Sequence, residues 1–230
     1  MHPVMKAMIL AAGRGERMRS LTDAMPKPLL KAGSKPLILY HIEALRRAGI
    51  IDLVINHAYR GEMIVNFLGD GADFGVNIVY SEEASALETG GGIFKALRYL
   101  GGSPFVIVNG DIWTDYDFSQ LKESSVKKTH LVMVNNPAHH PGGDFVLQPD
   151  TGLLYCTESQ ERLTYSGIAL IDPALFDSCQ AVRFPLGPLL KSAMAQQWVT
   201  GELYNGVWMD IGTPQRLVEL NRWLEMSAHS

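Results

Sequence analysis

Cysteine is scarce in this chain: Cys156 and Cys179 are the only two in 230 residues. They stand in unrelated segments without a CxxC spacing, which excludes a disulfide framework and leaves them to act as small buried apolar residues in a reducing cytoplasm. Long hydrophobic runs are missing too. The opening segment MHPVMKAMILAAG carries a short apolar stretch that stops at Gly13, so it reads as a first β-strand rather than an export signal or a membrane span. Positive charge is not in excess: 20 Lys and Arg against 24 Asp and Glu give a formal net charge of -4. That excludes a basic surface for coating nucleic acid, and any anion must meet a local site. No repeat, linker or low-complexity segment is present, and no hexapeptide β-helix follows. What is there, 47% hydrophobic and 19% charged residues, is ordinary for a soluble cytoplasmic protein. Residues 1–230 are then expected to form one domain, as monomer or homodimer.

Short apolar runs at MKAMIL, IIDLVI, VNIVY, PFVIV and THLVMV, most of them bounded by Gly, Pro or Asp, read as buried strands. Helical spacing lies between them. Leu37 to Ala48 stops at Gly49, Gly61 to Leu68 stops at Gly69, and Ile93 to Leu100 ends at Gly101. Strand and helix alternating in this way predict an α/β fold, a doubly wound, mostly parallel, Rossmann-like sheet with helices on both faces and ligands at the strand carboxyl ends. After about residue 137 the pattern becomes turn-rich, with LTYSGIALI as a longer strand and helical spacing again around Pro188 to Gln197. A last helix is expected from a Thr213 cap and Pro214 to about Met226. Residues 1–136 are expected to form a nucleotide-binding half and residues 137–230 a sugar-phosphate-binding half.

The first strand runs into LAAGRGERMRSLTDAMPKPLL, a glycine-bent turn followed by Arg14, Arg17, Arg19 and Lys27. Glycines let main-chain N–H groups approach phosphate oxygens while the cations offset charge, so this segment can cradle a polyphosphate. It is not a dinucleotide fingerprint, because Met18 stands where the third Gly would be, nor a Walker loop, which needs Gly-Lys-Ser/Thr. A second cluster, PFVIVNGDIWTDYDF, delivers Asn109, Gly110 and Asp111 at a strand end, where a carboxylate can hold Mg2+ against a phosphate.

The first segment resembles the signature of the sugar-1-phosphate nucleotidyltransferases, Leu-Ala-Ala-Gly-x-Gly-Thr-Arg-Met-x-Pro followed by Pro-Lys-Pro. Leu10, Ala11, Ala12, Gly13, Gly15, Arg17, Met18 and Pro26-Lys27-Pro28 match, while Glu16 replaces Thr and Ser20 replaces Pro. The resemblance implies a GT-A-like architecture and an enzyme that joins a nucleoside monophosphate from an NTP to a sugar 1-phosphate, releasing pyrophosphate. It implies that Arg17 and Lys27 contact the phosphates, that Asp111 is catalytic, and that Asp111 and Asp210, the latter in GVWMDIGTP, hold Mg2+. The stretch SEEASALETGGGIFKAL is similar to the family's Leu-Gly-Thr-Ala-Gly turn, with Glu88 for the first Gly and Gly90 for Ala. The backbone of Thr89, Gly90 and Gly91 would then read the base edge, a glycine triplet lying flat against the ring, and Glu82 or Glu83 would accept from a base N–H. Asn109 serves nucleotide and sugar phosphate alike, and Asp144, Glu158, Ser166 and Gly167 lie where the family meets the sugar. Within the family the motifs with Asn109 and ETGGG favour the branch that uses UTP and N-acetylmuramate 1-phosphate in cell-wall recycling. Mannose 1-phosphate guanylyltransferases and glucose 1-phosphate thymidylyltransferases are the alternatives.

Other residues read as structural. His139-His140 diverge on a loop and are taken as surface histidines. Trp113 and Tyr116 are packing residues. Asp115-x-Asp117 resembles the donor-holding pair of nucleotide-sugar glycosyltransferases, a competing class, but is expected to start a helix capped by Asp117. A silent sugar-nucleotide sensor should have lost Asp111, Lys27 or Asp210, and all three are present.

Overall fold

In the first strand, β1 (Lys6–Leu10), Ala7 and Ile9 face one apolar layer and Met8 the other, as the twofold period of a strand buried on both faces requires. The computed structural model describes residues 4–123, 127–157 and 161–227. Six further strands join β1: β2 (Asp52–His57), β3 (Asn77–Glu82), β4 (Phe105–Asn109), β5 (Thr129–Val134), β6 (Thr164–Ile171) and β7 (Val199–Tyr204). They form one sheet in the order β7-β5-β6-β4-β1-β2-β3. All pairings are parallel except those of β6, which runs antiparallel to both β4 and β5.

Helices cover both faces. On one side α1 (Leu37–Arg47) and α2 (Gly61–Leu68) bury Ile38, Ile42, Leu45, Ile64 and Leu68 against Ile9, Ile55 and Val108. On the other, α3 (Glu88–Leu100) buries Ile93, Ala96 and Leu100 against Met8 and Ile107. The short α4 (Ser119–Glu123) follows Asp117, whose carboxylate accepts from the Ser119 N–H at 3.0 Å, as expected of a cap. Then α5 (Leu186–Ala195) joins the α3 layer, and α6 (Pro214–Ser227) starts at the Pro expected. This last helix belongs to a third apolar cluster, in which Leu217 and Leu220 meet Met18, Leu30, Leu37, Trp113 and Ile211.

Three elements depart from expectation. Helix α3 begins at Glu88, not Ile93, taking in glycines of poor helix propensity because close packing needs them, as described below. Strand β7 is interrupted in sequence by Gly201, where a Cβ would come within 2.7 Å of Leu154 Cδ1, so its pattern hides the strand. Neither cysteine is fully buried: Cys156 is exposed and Cys179 half-buried, with burial pushing its thiol pKa up.

Candidate functional site

The sheet order reverses direction at β1, and the crevice beside such a strand, at its carboxyl end, is where open α/β sheets bind ligands. A cleft of about 260 Å³ lies there, and Leu10, Ala11, Ala12, Gly13, Gly15, Lys27, Thr89, Asn109 and Asp111 all line it. Gly15 has φ +69°, and a Cβ on it would come within 3.2 Å of Lys27 Cβ and 3.3 Å of Thr22 Cγ2. Glycine at this position lets the loop fold back onto the lysine stem. Lys27 is therefore buried, and its Nζ donates to Asp111 Oδ2 at 2.8 Å. Gly110 allows the matching approach from β4: its N–H bonds Leu10 O at 2.9 Å, and a Cβ would meet that oxygen at 2.7 Å.

A buried polar chain ties the loop to the start of α3. The Ala11 N–H donates to Asn56 Oδ1 at 2.9 Å, Asn56 Nδ2 donates to Glu83 Oε1 at 2.7 Å, and the Leu87 N–H donates to Glu83 Oε2 at 2.8 Å. Glu83 and Asn56 line the cleft. Glu82, the other candidate, is exposed, and its carbonyl accepts from Lys95 Nζ. The reason is strand alternation, which turns successive side chains to opposite faces. The glycine triplet also differs from expectation. Gly90 and Gly91 lie under the segment 182–184, where a Cβ would meet the Phe184 ring at 2.4 Å and Val182 O at 2.6 Å. Gly92 sits equally close to Glu83 Oε1. The triplet thus serves helix packing, and of residues 89–91 only Thr89 reaches the cleft. Glu88 also lines it, with a left-handed φ of 61° at the position where the family signature has Gly, and pairs with Arg183 at 2.9 Å.

Asp210 arrives from the far side. The segments Ile112–Thr114 and Trp208–Asp210 pair antiparallel, with Asp210 opposite Ile112 and the Ile211 N–H bonded to Asp111 O at 2.7 Å. The two aspartates are thus on adjoining strands despite their separation in sequence. Asp210 Oδ2 accepts from Arg216 Nη1, in the first turn of α6. Its buried Oδ1 accepts no hydrogen bond but lies 2.9 Å from His139 Nε2, an ion-pair distance. A Cβ on Gly212 would come within 3.2 Å of Arg17 Nη2, 3.2 Å of Asp210 Oδ2 and 3.3 Å of Arg216 Nη1, which marks where these groups converge. Arg17 therefore stands on the Asp210 side and Lys27 on the Asp111 side. Arg14 lies over the Tyr59 ring and 3.7 Å from Glu16.

A buried carboxylate oxygen that accepts no hydrogen bond fits a cation. Among the described residues no group of three His, Cys, Asp or Glu side chains is gathered to hold a metal, so protein oxygens alone do not complete a site. Mg2+ commonly takes one or two carboxylates and fills its remaining positions with phosphate oxygens and water. Beneath this corner His41 is buried. Burial pushes its pKa down to about 4, against a bond with the Ile112 backbone and the nearby Asp111 charge, which push it up. The ring is neutral at neutral pH.

The expected sugar residues are arranged less simply. Asp144 Oδ2 accepts from the Tyr165 N–H at 2.8 Å and its Oδ1 is 3.1 Å from His140 Nε2. Ser166 is buried at a bulge, its hydroxyl donated to Val132 O at 2.7 Å. Gly167, φ +84°, lets Asn109 pack on the bulge, since a Cβ would meet Asn109 Nδ2 at 2.5 Å. Glu158 falls outside the described residues. Sequence reasoning missed Asn56, His139 and Arg216. The histidine pair does lie at the surface as expected, and each ring also stands against a carboxylate. Asp115 accepts from the Val207 N–H at 2.8 Å and from Tyr204 OH, so with Asp117 capping α4 this pair is structural. Trp113 packs against Trp223 with ring centroids 4.6 Å apart.

A family model described as nucleotidyl transferase matches residues 6–145. The chain is 48% identical to an N-acetylmuramate alpha-1-phosphate uridylyltransferase of Neisseria meningitidis serogroup B, over 94% of this chain and 96% of that one. It is 32% identical to a probable mannose-1-phosphate guanylyltransferase 3 of Oryza sativa subsp. japonica, over 92% of this chain and 62% of that relative. A solved structure of a putative glucose-1-phosphate thymidylyltransferase from Bacillus anthracis superposes with a TM-score of 0.84 at 21% identity, covering 95% of this chain and 94% of that one.

Proposed function

Since the chain belongs to the nucleotidyl transferase family, we propose that it transfers UMP from UTP to N-acetylmuramate 1-phosphate, releasing pyrophosphate, in cytoplasmic cell-wall recycling. The observation that carries this reading is the match, at 48% identity and almost end to end, with a uridylyltransferase of that substrate, beside relatives of other base specificity at 32%. The chemistry needs no covalent enzyme intermediate: an oxygen of the sugar 1-phosphate attacks the α-phosphorus in line and pyrophosphate departs. Mg2+, which Asp111 and Asp210 would hold, would supply Lewis-acid polarisation of the phosphate under attack.

The chain's own residues do the rest. Loop N–H groups from Ala12 to Gly15 receive phosphate oxygens, and Leu10, Ala11 and Asn109 support that wall. Lys27, desolvated and held by Gly15, offers a fixed charge at the reacting phosphorus, with Arg17 taking charge on the Asp210 side. Asp111 and Asp210 would hold the metal, Asp111 beside Lys27 and Asp210 beside Arg216 and His139. Glu83 and Thr89 line the base end, and Glu83 rather than Glu82 is the acceptor for a base N–H. Asn109, Asp144, Gly167 and Glu158 serve the sugar phosphate, with Ser166 acting through the bulge. Residues 1–136 and 137–230 are on this reading two halves of one domain, the second reaching the first where Ile211 bonds Asp111 and Gly167 packs on Asn109.

The glycosyltransferase reading loses its support, because Asp115 and Asp117 are spent on Val207, Tyr204 and Ser119. One assay tests the proposal: each NTP is supplied with N-acetylmuramate 1-phosphate and Mg2+, and pyrophosphate is measured. Release with UTP is expected. Release only with mannose or glucose 1-phosphate overturns the acceptor, and release only with another NTP overturns the donor.

A further inference from the structure

Both carboxylates assigned to the metal carry a protein cation, but the two cations differ. Lys27 is buried, reaches Asp111 through a single amine, and belongs to the signature. Arg216 is outside every motif used above. It contacts Asp210 Oδ2, lies 3.3 Å from the Asp210 carbonyl and 3.1 Å from His139 Nε2, and its side chain is 17% exposed. Arg17 adds a second guanidinium at the same corner, over Gly212. One carboxylate is thus surrounded by two permanent positive charges and an imidazole.

A divalent ion reaching Asp210 Oδ1, on the His139 side, has to share that carboxylate with the Arg216 charge. Like charges a few ångströms apart disfavour each other strongly at a partly buried site, where screening is weak. We propose that Arg216 is a competing counter-ion for Asp210, which keeps the aspartate's intrinsic hold on a divalent cation weak so that the ion is retained only together with a nucleotide's phosphates. The polyphosphate adds the negative charge that offsets both guanidiniums, and metal and nucleotide are then held as a unit. Arg216 is on this account a positioning residue, and the inference rests on Asp210 being a metal ligand.

The test measures Mn2+ affinity of the full chain without nucleotide, by the electron paramagnetic signal of the free ion, with no turnover involved. Arg216→Met is expected to bind Mn2+ at least about tenfold more tightly than the parent. Arg216→Gln, which keeps an amide donor for Asp210 but removes the charge, is expected to do the same, and Arg216→Lys to stay near the parent value. Adding UTP without acceptor is expected to raise Mn2+ affinity by a smaller factor in Arg216→Met and Arg216→Gln than in the parent. Asp210→Asn is the control and is expected to weaken binding. Unchanged or weaker binding in both neutral variants, with Asp210→Asn still weakened, overturns the counter-ion role alone. Unchanged binding in Asp210→Asn overturns the metal assignment, and this inference with it.

Discussion

The side of the cleft proposed for the nucleotide and the side proposed for the acceptor are built by different means. On the first, β1, β2 and β4 are parallel neighbours, the loop after β1 folds on Gly15, and a chain of buried hydrogen bonds through Asn56 and Glu83 reaches Leu87. On the second, the antiparallel β6 carries a bulge, His139 and Arg216 reach Asp210 from a loop and a helix, His140 pairs with Asp144 within one loop, and Asn136 holds Arg162 and Thr164. Satisfied buried networks rigidify a site, whereas contacts gathered from distant loops adjust to what they hold. The contrast suggests a fixed grip on the donor and an adaptable one on the acceptor.

The hardest test compares the two aspartates. Asp111→Asn is expected to cut turnover at least about a hundredfold with the fold intact, because lost transition-state electrostatics cost about 2.7–4 kcal/mol. Asp210→Asn, on the adaptable side, should lose less. Pyrophosphate release and circular dichroism check both, and near-normal turnover of Asp111→Asn breaks the comparison. Next comes acid. His41 has a folded pKa of about 4 against the ordinary 6.5, so between these values the unfolded chain takes up the proton and the folded chain does not. Stability from this group is complete above pH 6.5 and falls by about 3 kcal/mol as pH drops towards 4. Urea midpoints at pH 7, 5.5 and 4.5 should show this fall, and His41→Gln should flatten it.

Smaller effects separate the halves by substrate. Asn56→Ala strands the Ala11 N–H and one Glu83 oxygen, at a cost of about 1–3 kcal/mol, and should raise the KM for nucleotide. Asn136→Ala removes the bonds to Arg162 O at 2.8 Å and to Thr164 Oγ1 at 2.8 Å, and should raise the KM for the sugar phosphate instead. Equal shifts of both constants in either variant would erase the distinction. The least effect is expected from Glu88→Gly. It relieves a left-handed backbone worth about 1 kcal/mol and gives up an exposed ion pair of small value, so Tm should rise slightly.

This division also explains what the sequence made legible. The loop from Leu10 to Lys27 and the strand end at Asn109–Asp111 are contiguous segments, so residue type and spacing reveal them. Asp210 was reachable only because its Gly and helix start resemble a family pattern. Arg216, His139 and Asn56 acquire their roles from pairings between remote segments, which no local periodicity reports. The packing of Gly90 and Gly91 is hidden for the same reason: a glycine near a ligand and a glycine under Phe184 read alike along the chain. The edge strand β7 was lost because its Gly201 answers to a neighbour's bulk.

One contact reaches from end to end of the described chain. Met18, within the phosphate-loop turn, is enclosed by Leu217 and Leu220 of α6. The ribosome makes that turn early and the helix late, so a growing chain can complete most of the parallel sheet while its triphosphate cradle still lacks a back wall. If that loop receives the triphosphate, as proposed, a chain that stops short of α6 leaves Met18 without Leu217 and Leu220, and the loop gains this support only when that helix docks.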